Sequence, residues 1–148
     1  PRGIHEVDIE KLKTETVKVL ENYDCKDTDN TFTFDTCAYD KESDENHTVM
    51  LVTEGSELLN NLQKDLREIM QKFGDYLDPI MEDYEKNFRP HLTIGNNISD
   101  QEIKNVQTYL GEQESFPQGE ITELVLVVVE NMNITETKIP ENLTVFNL

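Results

Sequence analysis

The stretch Asn87 to Asn97, NFRPHLTIGNN, holds the residues whose types and spacing are best suited to chemistry. His91 and Thr93 stand two apart, with Pro90 just before them. On a strand, residues i and i+2 project from the same face, so an imidazole and a hydroxyl would point into one space. Imidazole has a reference pKa of about 6.5 and can take or give a proton near neutral pH. The hydroxyl can donate to an oxygen on which negative charge builds. Arg89 adds a guanidinium that can touch a phosphate, or can simply be a surface residue at a strand start. The plain alternative for His91 is a satisfied interior histidine on an apolar strand.

The elements that must position these groups are read from periodicity. Residues 8–23 carry Ile9, Leu12, Val19, Leu20 and Tyr23 at helical spacing and predict an amphipathic helix. A polar turn over 24–31 leads to TFTFDTCAY, a strand with imperfect alternation. DKESDEN reads as a charged hairpin-like loop, and HTVMLVT as a second, β-branched strand. Ser56 fits a cap for a helix through Phe73, which Gly74 stops. Residues 75–87 read as irregular, with Pro79 arguing against one continuous helix. FRPHLTIG is the next strand. Ser99 and Glu102 form a capping box before a helix carrying Ile103, Val106 and Leu110. TELVLVVVE and NLTVFNL are the last two strands. Adjacent strand pairs among helices predict an α+β fold with mainly antiparallel sheet.

A repeat lies in this order. PRGIHEVDIEKLKTE aligns without a gap on GNNISDQEIKNVQTY, putting Ile4 on Ile98, Ile9 on Ile103 and Leu12 on Val106. Capping and helical spacing alone make such starts alike, so coincidence is the competing explanation. A true duplication would place the counterparts of His91 and Thr93 ahead of Pro1. The expectation is one domain over 1–148 whose first strand, first helix and first motif lie upstream.

FRPHLTIG followed by NNISDQEIKNV resembles the second signature of the two-histidine (2H) phosphoesterase superfamily, the 2'-5' RNA ligase-like or cyclic phosphodiesterase family. The resemblance covers residues 1 to about 130. It implies two pseudo-symmetric lobes, helices packed outside, and two His-x-Thr/Ser motifs facing a central cleft. His91 and Thr93 fall on the second motif. The implied activity is metal-independent cleavage of cyclic or 2'-5'-linked nucleotide phosphodiesters, as in RNA end processing. No cofactor is expected. The implied substrate is a small nucleotide or an RNA-end phosphodiester. Two other readings stand beside it: a catalytically degenerate module that binds a nucleotide or a protein, and an interaction domain whose HLT is accidental. His5 and His47 lack a Thr or Ser two residues on. His47 reads as an exposed structural residue at a strand edge.

Composition narrows the partners. The 148 residues hold 31 Asp plus Glu against 13 Lys plus Arg, a formal charge of −18. That field repels duplex nucleic acid and anionic membrane but leaves room for a small phosphate ester in its own hollow. Apolar residues, at 36%, support a packed core. Cys25 and Cys37 are too few for a disulfide scaffold and lack metal-ligand spacing. Four Asn-x-Ser/Thr sequons, at Asn46, Asn97, Asn133 and Asn142, have no signal peptide to make them usable. No apolar run approaches the roughly 18 residues of a membrane helix. The chain therefore reads as soluble and intracellular, cytoplasmic or nuclear.

Overall fold

A computed structural model describes residues 2–23, 30–41, 46–53, 55–111, 116–130 and 134–148. Pro1, Cys25, Asn133, most of the 24–31 turn and residues 42–45 of the charged loop lie outside them. Among the described residues the chain is α+β. In order it runs β1 (Arg2–Ile4), α1 (Glu6–Leu20), β2 (Thr31–Thr33), β3 (Thr36–Lys41), β4 (Asn46–Val52) and α2 (Glu57–Phe73). Then come β5 (Gly74–Tyr76), α3 (Pro79–Lys86), β6 (His91–Ser99), α4 (Asp100–Gly111), β7 (Gln118–Glu120), β8 (Glu123–Val127) and β9 (Leu143–Asn147). β1–β5, β3–β4, β4–β6 and β8–β9 pair antiparallel. No helix among the described residues is long and apolar enough to cross a membrane.

The chain divides into two compact units. One comprises Thr31–Asn60 and Arg89–Gly119. Its centre is β4, hydrogen-bonded to β3 on one edge and β6 on the other. Val49, Met50, Leu51 and Val52 are all buried. A strand covered on both faces has no polar side to alternate with, so it reads as an unbroken apolar run. Burying each such side chain contributes about 1.5–3 kcal/mol. Phe34 is buried beside Phe32, edge to face at 5.3 Å between ring centres. The single strand expected over 31–39 is two. β2 pairs with β7 and β3 with β4. Between them, Phe34 N donates to Pro117 O and Asp35 N to Val52 O. The imperfect alternation marks this change of partner.

The other unit comprises Pro1–Asn30, Asn61–Phe88 and Glu120–Leu148. Helix α1 buries Leu12, Thr16 and Leu20, four residues apart. In α2, Leu62 and Ile69 are buried two turns apart. Tyr23 donates its hydroxyl to Asp65 at 2.8 Å. Burial, helped by that carboxylate, pushes the phenol up to about 12. Gly74 ends α2 as expected and faces Ile4 across β1–β5. A methyl at Gly74 would collide with the Gly3 carbonyl oxygen, so only glycine permits this approach. Residues 75–87 correct the irregular segment expected there. Asp78 caps α3 by accepting from Ile80 N at 3.0 Å, with Pro79 opening the helix. Proline, a breaker in a helix interior, here starts a helix, because the first turn needs no amide donor.

Candidate functional site

Strand β6 carries both candidate groups. Its register against β4 is regular where they sit: His91 opposite Val52, Leu92 opposite Leu51, Thr93 opposite Met50. The pleat therefore turns His91 and Thr93 to one face and Leu92 to the other. Entry to the strand is pinned by Thr53 N, which donates to Pro90 O at 3.1 Å. Both side chains of the pair are exposed. The His91 ring is still held. Nδ1 donates to the backbone carbonyl of Arg89 at 2.8 Å. A carbonyl only accepts, so in the neutral ring Nδ1 carries the proton and Nε2 keeps a lone pair. An oriented imidazole with an open Nε2 can act as a base, and once protonated as an acid. The Thr93 hydroxyl makes no hydrogen bond to a described residue and remains free to donate.

Past Thr93 the ladder slips. Thr93 faces Met50 and Gly95 faces Val49, leaving Ile94 as the extra residue of a bulge. A second slip follows before Ile98, where Asn97 adopts a left-handed φ of 56°. Asn tolerates that region better than most residues. Thr48, on β4, donates its hydroxyl to Asn96 Oδ1 at 3.2 Å. The strand then feeds straight into α4 through the expected capping box. Glu102 N donates to Ser99 Oγ at 3.4 Å, and Ser99 N to Glu102 Oε2 at 3.0 Å. The Ser99 hydroxyl, donating to Glu102 Oε2 at 2.6 Å, and then the Ser99 amide hold the Glu102 carboxyl below its usual range.

The other histidines have different surroundings. His47 Nε2 lies 2.5 Å from Asp100 Oδ1. That hydrogen bond and the nearby charge hold the Asp100 carboxyl low. Expected to be exposed at a strand edge, His47 is instead half-buried, because Asp100 draws it into the β4–α4 junction. His5 precedes α1, exposed and without a side-chain cap bond.

Arg89 is engaged. Its Nη2 donates to Asp40 Oδ2 at 3.0 Å and Oδ1 at 3.3 Å, both groups partly exposed. Such a pair is worth about 1 kcal/mol or less. The sequence had no signal for Asp40 here, because its position depends on the β3–β4 register that puts it opposite Thr48. In the same unit a hollow of about 460 Å³ is lined by Phe32, Asp35, Thr53 and Ser56 among others. Its wall residue Thr53 is the one bonded to Pro90. The size suits a small ligand. Among the described residues, no cluster of His, Cys, Asp and Glu could hold a metal ion.

The structure thus brings His91, Thr93 and Arg89 to the start of one strand, with His47 at its far end. A comparison with known families finds that the model of the 2'-5' RNA ligase superfamily matches residues 8–133. No curated protein and no solved structure matches the chain.

Proposed function

Because the chain belongs to the 2'-5' RNA ligase superfamily, we propose that it cleaves cyclic or 2'-5'-linked nucleotide phosphodiesters without a metal, using paired histidines. The family acts on RNA or nucleotide phosphodiesters, and the acidic surface favours a small nucleotide over long RNA. The supporting observation is the His91 ring, exposed on the face it shares with Thr93 and oriented through Nδ1 by the Arg89 carbonyl.

In hydrolysis of a 2',3'-cyclic phosphate, one imidazole takes a proton from the attacking water as its oxygen bonds to phosphorus. The bond from phosphorus to one ribose oxygen breaks, and that oxygen takes a proton from a second imidazole. His91 supplies one of the two through Nε2. The other is the imidazole that the family's paired motif would supply. Thr93 donates to a non-bridging oxygen and holds charge as it builds. Arg89 joins in binding the phosphate by exchanging Asp40 for it.

The test is turnover of 2',3'-cyclic AMP by the full-length protein in EDTA. His91→Ala is expected to cut the rate by about 10²–10⁴. Turnover that survives the substitution removes His91 from the mechanism. Turnover abolished by chelation contradicts the metal-free route. Binding without turnover in the wild type leaves a nucleotide-binding module.

A further inference from the structure

Helix α3 is anchored through one polar residue, Glu85. Glu85 Oε2 accepts from Arg2 Nη2 and from the Tyr76 hydroxyl, each at 2.9 Å. Gln63 Nε2 donates to the Glu85 carbonyl at 3.2 Å. The Arg2 side chain is only 2% exposed, and its guanidinium sits 3.8 Å from the centre of the Tyr76 ring. The helix therefore cannot roll without uncovering a buried charge.

Two of its large apolar residues point outward, while Met81 is half-buried. Ile80 is 51% exposed and Tyr84, one turn on, 68%. Leu77 and Phe88 continue the same three-to-four-residue spacing beyond each end and are also exposed. Scattered exposed hydrophobes are ordinary, but an aligned stripe on a fixed support marks a contact surface. The segment that carries it is acidic: Asp75, Asp78 and Asp83 are exposed along it, and Lys86 is paired with Glu82 at 2.8 Å.

We propose that the Leu77–Ile80–Tyr84–Phe88 stripe docks a basic amphipathic segment of another protein. Apolar anchors of that segment cover the stripe, and its Lys or Arg residues meet Asp75, Asp78 and Asp83. A second copy of this chain would bring one acidic segment against another, and an anionic membrane would be repelled.

The probe is a fluorescent peptide of Leu and Lys, about four helical turns long, with leucines on one face. A scrambled peptide of equal composition is the control. The full chain is expected to bind the patterned peptide at least about tenfold more tightly than the scrambled one. Ile80→Ala with Tyr84→Ala removes that preference, and Asp75→Asn with Asp83→Asn weakens binding in a salt-dependent way. Equal binding of both peptides, or a preference that survives the alanines, overturns the proposal as non-specific charge attraction. So does a dimer in sedimentation, or binding to phosphatidylserine vesicles, that the same alanines abolish. A large fall in melting temperature in the alanine variant also counts against it, because the stripe would then be core.

Discussion

The strand–helix junctions at β1–α1 and β6–α4 start from the same residue pattern and end differently. Their helices begin at Glu6 and Asp100, the offset of the sequence repeat. Both open on an acidic first turn. At the second junction the strand is nine residues long, and a Ser99–Glu102 box closes it. At the first, the described strand is three residues, His5 offers no side-chain cap, and Gly3 and Gly74 replace side-chain packing with close backbone approach. Periodicity and charge are shared by any amphipathic helix start. The long strand, the cap and the bulge are what set the β6 junction apart and carry the proposed His91–Thr93 face.

The comparison can be broken in several ways, the first by chemistry. His91→Ala is expected to lose most turnover, as above, while His5→Ala leaves kcat on 2',3'-cyclic AMP unchanged. Equal losses would make the junctions functionally equivalent. Next is backbone approach. Gly74→Ala should destabilise the protein by about 3 kcal/mol, read from urea unfolding, because the new methyl meets backbone that cannot swing aside. Capping comes third. Ser99→Ala should cost about 1 kcal/mol, and His5→Ser should add about 0.5–1 kcal/mol by supplying the missing cap.

The smallest effect is pH-dependent. His47 depresses the Asp100 carboxyl, so the folded protein releases that proton more readily than the unfolded chain. The contribution is full above the ordinary carboxylate range and lost as pH falls through the depressed value. Wild type should therefore melt above Asp100→Asn at pH 6, with the gap closing as pH falls through the depressed carboxyl value.

Much of this was legible because it rests on local rules. β4 declared itself by an unbroken apolar run. Ser56 and Gly74 bounded α2, with Ser56 Oγ accepting from Leu59 N. The shared face of His91 and Thr93 follows from the two-residue pleat wherever pairing is regular, and it is regular there. What was hidden depends on partners distant in sequence. The break at Phe34–Asp35 exists because β2 and β3 pair with different strands. The Arg89–Asp40 pair joins residues 49 apart through sheet register. Thr16 is buried in α1, a polar residue on the apolar face that periodicity passes over. The Asp78-Pro79 helix start is local as well, an N-cap followed by proline at the first helical position, where proline initiates rather than breaks.

The bond from the His91 ring to the main chain of residue 89 separates two duties within one amino acid. Every residue type carries the same carbonyl, so the lock on the tautomer is indifferent to the side chain there. The guanidinium is left open to variation: a change of side chain at position 89 alters the pairing with Asp40 while the proton stays on the same ring nitrogen.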